Sequence, residues 1–187
     1  MQLAAMFPRS GFRGYDISPT AIRRANERVA EADLQNVEFR VGDPVSLDDA
    51  RCYDLVLGLD SIHEHGSPER VLRNIANGLK RDGMFLMQEV AASSHLARNA
   101  ENPSAAMLYA LSLMHAVPVA LAQDGEALGG MWGEERARQM LGEAGFAKLR
   151  FATIASDPLH YYCVAQKDGA GSAGARSALP ENRAARA

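Results

Sequence analysis

Cysteine is nearly absent: Cys52 and Cys163 are the only two in 187 residues, far apart and without the spacing of metal ligands. That excludes a disulfide framework or a zinc ribbon and makes a reducing, cytoplasmic setting the expected one. No apolar run approaches the roughly 18 residues that a membrane-spanning helix needs, and Met1 is not followed by the charged, apolar and small-residue regions of a leader. A soluble chain is expected, with no membrane partner. Neither sign of charge dominates, since 20 basic and 23 acidic residues leave a net charge of -3. Without a basic excess there is no long-range attraction to phosphate backbones, so nucleic acid is not an expected partner. There is one tryptophan, Trp132, which reads more readily as core than as an aromatic platform for a ligand.

What is present is enough apolar material, 47% of residues, for one domain with a sizeable core. Residues 12–17 read as a short strand, and Ser18-Pro19 as the cap and first turn of a helix on which Ile22, Ala25, Val29 and Ala32 share a face. Residues 37–41 alternate with period two and stop at Gly42-Asp43-Pro44, a strand and turn. Residues 54–59 follow one acid with a continuous apolar run, the pattern of a strand buried on both faces. Ser67-Pro68 opens another helix, with Val71, Leu72, Ile75 and Leu79 inward, and Gly83 to Val90 is the next strand. Such alternation implies a parallel sheet through right-handed crossovers. The strands at 12–17, 37–41, 54–59 and 84–90 are therefore expected to be neighbours.

Residues 91–130 interrupt the alternation with a Met-rich helical stretch, Ala105 to Ala116, and a loop marked by Gly125, Gly129 and Gly130. Met107, Leu108, Leu111, Met114 and His115 are expected to pack against the sheet, or else to form a lid over a ligand. After a helix at 134–144, strands at 148–155 and 160–166 are joined by Ser156-Asp157-Pro158, too short for a crossover, so this last pair must be antiparallel. From Asp168 onward large apolar residues almost vanish, and a disordered tail is expected.

Ligands of open parallel sheets bind beyond the carboxyl ends of the strands, and three of those ends are acidic: Asp16, Asp43 and Asp60. A carboxylate there accepts ribose hydroxyls or an adenine amino group, and it equally caps the next turn. The succession Gly14-Tyr15-Asp16-Ile17-Ser18, Val41-Gly42-Asp43, Tyr53-Asp54-Leu55-Val56 leading to Asp60-Ser61-Ile62-His63, and Leu79-Lys80-Arg81-Asp82-Gly83 resembles the class I S-adenosylmethionine-dependent methyltransferases. The closing Gly145-Phe146 and hairpin agree, so the resemblance covers about residues 1–167, the core, with 168–187 as tail. It implies a doubly wound, Rossmann-like α/β fold with a mostly parallel sheet and an antiparallel C-terminal strand.

It also implies S-adenosylmethionine as cofactor and a small-molecule methyl acceptor, in particular a hydroxyl. Asp16 would hold the cofactor ribose, Ile17 would lie against adenine, Asp43 would meet its amino group, Asp60 with its neighbour Leu59 would line the methionine end, and Gly42 and Pro44 would belong to the same cofactor site. The family's Gly-rich turn, approximately Asp-x-Gly-x-Gly, follows a strand that precedes everything in this sequence and would lie centrally, beside residues 12–17 and 54–59, so two unpaired strand edges are expected and only the helix after that turn, Met1 to Phe7, is expected here. The core is thus read as N-terminally incomplete, and a homodimer is expected only of a longer form. His63 resembles the general base of small-molecule O-methyltransferases, where His-Asp-Trp stands in the same loop; an imidazole suits proton abstraction near neutrality. That reading puts His63 at the mouth of the cofactor cleft. His63-Glu64-His65 lacks a third ligand for a metal, so none is expected. Two rivals remain: an NAD-dependent dehydrogenase, for which Asp16 is equally suited, and a non-catalytic or remnant module that keeps the fold without turnover.

Overall fold

The computed structural model describes residues 1–46 and 49–168. Its first unit is a small α/β layer. Helix α1 (Gln2–Met6) leads to strand β1 (Phe12–Asp16), helix α2 (Pro19–Glu31) and strand β2 (Val37–Val41), with β1 and β2 parallel in the register Phe12 to Val37 through Asp16 to Val41. Ser18 opens α2 by accepting the Ala21 N–H at 3.2 Å, and Pro19 needs no partner for the amide it lacks. The Asn36 side chain gathers the end of α1, donating to the carbonyls of Ala4, Phe7 and Ser10 at 3.0, 3.2 and 2.9 Å. Gly14 is required where it stands, because a Cβ there would collide with the Phe39 ring.

The second unit is a four-stranded sheet in the order β3-β4-β6-β5. Strand β3 (Tyr53–Leu59) pairs in parallel with β4 (Leu79–Val90), while β6 (Asp157–Lys167) is antiparallel to β4 on one side and to β5 (Phe146–Ile154) on the other. Helices α3 (Pro68–Gly78) and α6 (Glu134–Glu143) pack on it, and their Val71, Leu72, Ala137, Met140 and Leu141 join Phe85, Met87 and Phe146 in one buried cluster. The mixed sheet and antiparallel hairpin are those the sequence implies; strands β4, β5 and β6 begin two to four residues earlier than its pattern suggested.

Strands 12–17 and 54–59 do not pair with each other: β1 and β3 share no ladder and the two units part between them, so each keeps an open edge, where the resemblance puts the family's central strand. The space between is a cleft of about 1380 Å³ lined from one side by Phe12 to Ile17 and from the other by Tyr53 to Gly58. Leu55, Leu57 and Leu59 of β3 are consequently 47%, 39% and 52% exposed, although their sequence is that of a buried strand. Side chains tie the two rims at one end: the Tyr15 hydroxyl donates to Asp49 at 2.8 Å, Tyr53 donates to the same carboxylate, and Arg13 reaches the Tyr53 hydroxyl at 3.5 Å.

The 91–130 segment also departs from expectation. Helix α4 (Ala105–Leu111), a π-turn (Ser112–Ala116) and helix α5 (Val117–Leu121) follow one another as a single rod. Its small residues Ala105, Ser112, Ala116 and Ala120 face the body, while Met107, Leu111, Leu113, Met114 and Leu121 point out and are 53–79% exposed. The expected packing of Met107, Leu111 and Met114 on the sheet is therefore corrected: only slim side chains fit close to the body, and the large ones are turned to solvent. The expected tail from Asp168 lies, except for Asp168 itself, outside the described residues.

Candidate functional site

The predicted cofactor residues lie at the carboxyl ends of β1, β2 and β3, where the turn chemistry of each is visible. Asp16 Oδ1 accepts the Ser18 N–H at 2.8 Å, shaping the entry to α2, and Asp43 Oδ1 accepts the Val45 N–H at 2.9 Å. Both carboxylates are thus turn-forming as well as exposed. Gly42 N–H donates to the Asp16 carbonyl at 3.0 Å and so continues the β1–β2 ladder past the last paired residues. Asp60 is exposed and takes a left-handed backbone conformation, φ 51°, which turns the chain sharply out of β3. Asp16, Ile17 and Pro44 line the cleft; Gly42, Asp43, Leu59 and Asp60 are not among its lining residues. Ile17 is 54% exposed beside it, an apolar side chain with little of its own protein to cover it.

His63 is placed differently from the expectation. It does not stand at the cleft mouth but is 4% exposed, in a short 3₁₀ turn (Ile62–Glu64) whose flanking Ser61, Ile62, Glu64 and His65 line the cleft instead. The cause is Glu89, a carboxylate with no exposed surface on β4. Glu89 Oε1 accepts the Ile62 N–H at 3.1 Å, and Oε2 lies 2.5 Å from His63 Nδ1 and accepts the Trp132 indole N–H at 3.1 Å. A buried carboxylate must be partnered, and these donors bring His63 and Trp132 onto the same Glu89 oxygen. Trp132 is accordingly core, 5% exposed, and serves as a polar anchor as well. With Nδ1 engaged, Nε2 is the nitrogen left to act, and it looks toward the backbone of Gly130, whose Cβ, if present, would lie 3.5 Å away.

Burial alone would lower the His63 pKa, but the hydrogen bond and the charge of Glu89 outweigh it, so the imidazole titrates above its ordinary value. Burial wins at the neighbouring His65, which is held below it. Glu89 was missed from the sequence, though a signal existed: one acid, beside Gln88, in the mostly apolar strand Met84 to Val90. Ligand atoms of Asp60, His63 and Glu89 lie within 4.8 Å of one another, close enough to hold a cation. Oε2 of Glu89 already accepts two protein donors and Oε1 one, so Oε1 is the oxygen with a lone pair left for a cation.

The helical segment braces the same loop from outside. His115 Nε2 is 3.1 Å from a Glu64 carboxylate oxygen, and the Gln123 amide donates to the Glu64 carbonyl at 2.9 Å while its oxygen accepts the Gly66 N–H at 3.2 Å. Among the described residues no helix is long and apolar enough to cross a membrane.

A sheet with acidic residues at successive carboxyl ends, an antiparallel closing hairpin and a histidine after the third strand defines a class I methyltransferase fold. Residues 1–151 match the family described as "Methyltransferase domain", and the chain belongs to it. Similar solved structures include a candidate O-methyltransferase from Nostoc punctiforme PCC 73102, 22% identical with a TM-score of 0.66, covering 88% of this chain and 47% of that one. An O-methyltransferase family protein from Burkholderia thailandensis is 17% identical with a TM-score of 0.67, covering 90% and 48%. The trans-methyltransferase CalH in complex with SAH is 20% identical with a TM-score of 0.60, covering 83% and 41%. The chain spans about half the length of these proteins. No curated protein matches.

Proposed function

We propose that the chain is the core of a methyltransferase that uses S-adenosylmethionine to methylate a small molecule at a hydroxyl. The observation that carries the reading is the set of exposed acids at the carboxyl ends of β1, β2 and β3, Asp16, Asp43 and Asp60, with Asp16, Ile17 and Pro44 opening on the cleft that runs between the facing edges of β1 and β3. The residues present fit the nucleoside half of the cofactor: an exposed carboxylate for ribose hydroxyls, and Ile17 and Pro44 as apolar surface for a purine. S-adenosylmethionine, when bound, supplies an electrophilic methyl group. Glu89 holds His63 with Nδ1 protonated, so that Nε2 can accept a proton from an acceptor hydroxyl. The backbone at Gly129 and Gly130 covers Nε2, so an acceptor reaches it only when this segment moves; Gly129, at φ 70°, is a natural hinge.

A second reading, a binding module without turnover, is favoured by one fact: His63 is sealed and fully satisfied on its Nδ1 side, which suits a purely structural pair as well as a base. Two measurements separate them. Calorimetric titration with S-adenosylhomocysteine is expected to give weak binding, lost in Asp16→Ala and strengthened in a version extended at the N-terminus; binding indifferent to Asp16 would sink the cofactor assignment. In that extended version, His63→Gln is expected to cut methyl transfer to a phenolic acceptor far more than it weakens cofactor binding, and the rate to rise with pH as His63 deprotonates above pH 6.5, its ordinary pKa. Equal transfer by the variant leaves only the binding module.

A further inference from the structure

Tyr161 carries a polar group that the fold buries and leaves without a partner. The residue is 2% exposed, packed in the main core with its ring 5.4 Å from that of Phe151. Among the described residues its hydroxyl is the only buried side-chain nitrogen or oxygen that makes no hydrogen bond. A buried hydroxyl in that condition is destabilising, whereas phenylalanine would fill the same space without the penalty, so packing does not account for it. The neighbour across the ladder does. Tyr161 on β6 stands directly opposite Glu89 on β4, so the two buried side chains share one face of the sheet. Burial first, and then the charge of Glu89, hold the phenol above its ordinary pKa, so it remains a donor.

The donors that Glu89 has at present come from two places. Ile62 and His63 belong to the site loop, while the Trp132 indole comes from the segment 129–133. That segment is bounded by Gly129 and Gly133, both left-handed at φ 70° and 84°, and its Gly130 backbone covers His63 Nε2. A movement that uncovers Nε2 therefore takes the indole away from Glu89, and a carboxylate in a dry core that loses a donor draws on any other within reach. We propose that Tyr161 is this second donor: as the segment lifts, the Tyr161 hydroxyl replaces the Trp132 indole on Glu89 and keeps the carboxylate, and with it His63 Nδ1, in place while Nε2 is uncovered. One hydrogen bond breaks and one forms, and no proton leaves its residue. Tyr161 is thus a positioning residue that acts through Glu89, an inference that rests on the reading of His63 as the base.

Trp132 is the only tryptophan, so its indole N–H gives a single proton resonance whose hydrogen exchange reads the departure of the indole from Glu89. In the parent chain that proton is expected to be less protected than the backbone amides of β4 and β6, because the segment lifts without unfolding the core; equal protection would mean that no separate opening exists and would overturn the proposal. Tyr161→Phe removes the unpartnered hydroxyl from the closed form and the replacement donor from the open one. Both effects favour the closed form, so indole exchange should slow on the order of tenfold or more, and the melting temperature should rise. A hydroxyl that merely supported the core gives the opposite sign, and faster or unchanged exchange in the variant ends the idea. In the version extended at the N-terminus, Tyr161→Phe should lower kcat toward the phenolic acceptor by a similar factor with S-adenosylhomocysteine affinity unchanged; an undiminished kcat removes the positioning role. Absence of any transfer by the unsubstituted extended version would instead defeat the methyl-transfer reading, and the exchange measurement, which needs no turnover, would still decide whether Tyr161 replaces Trp132.

Discussion

The two sheets bury their strands very differently. In the four-stranded unit Phe85, Met87, Tyr161, Cys163 and Ala165 are at most 2% exposed, and α3, α6 and the sheet share one continuous core. In the two-stranded unit only Ala4 and Ile22 are buried hydrophobics, and cohesion comes from side-chain clasps: Asn36 on α1, Asn26 exchanging hydrogen bonds with the Phe39 backbone at 2.9 and 3.1 Å, and the Tyr15–Asp49–Tyr53 bridge. Both units have competent strands and capped helices. What differs is whether an apolar face has something to lie against, and two strands with one helix on them rarely suffice for independent stability. The candidate site sits on this divide, with its buried His63–Glu89 pair anchored in the strong unit and its Asp16 rim in the weak one.

The sharpest way to break the contrast is at Glu89. Glu89→Leu would strand the donors of His63, Trp132 and Ile62 in the core, and urea unfolding should show a loss of about 3–5 kcal/mol; a loss under about 1 kcal/mol would mean that the pair is incidental. A pH titration of thermal stability probes the same pair less violently. Because the folded His63 pKa is raised, its contribution is fully present below pH 6.5 and is lost as pH rises through the higher folded value. The melting temperature should therefore fall across that window in the parent protein and stay flatter in His63→Gln. In the weaker unit, Asn36→Ala removes three side-chain hydrogen bonds at a cost of about 1–2 kcal/mol. Hydrogen exchange should locate that cost in α1, β1 and β2, with protection of β4 and β6 unchanged; a uniform loss would show that the two units unfold together. The smallest effect is expected at Lys80, whose ammonium meets Asp54 at 2.8 Å on an open surface. Lys80→Ala should change stability by less than about 0.5 kcal/mol in the same urea assay.

Much of this was legible in the chain. Ser18-Pro19 and Ser67-Pro68 mark two helix starts because proline tolerates only the first turn of a helix. The short link before β6, two residues in the structure, leaves no room for a crossover and so dictates the antiparallel hairpin. The carboxylates at Asp16, Asp43 and Asp60 were visible because each follows a strand pattern immediately. Glu89 was obscured by its neighbours: within Met84 to Val90 a single acid looks like an exposed position, and nothing local says that Ile62, His63 and Trp132 will converge on it. Met107 and Met114 were read as inward for the same reason, since a run with apolar residues on every face does not say which side meets the body.

By itself, then, the sequence determined the elements, their capping, the α/β order and the strand-end acids, because these depend on backbone sterics and on partners a few residues away. Only the tertiary structure decided that Tyr15, Asp49 and Tyr53 clasp the two units, that His63 and Trp132 share the buried Glu89 carboxylate, and that the 105–121 rod shows its large side chains to the outside. Each of those outcomes depends on which surfaces, tens of residues apart in the chain, are left to bury one another. Hydrophobic burial is non-directional: it sets how much surface must be covered, and only the packed fold sets by what.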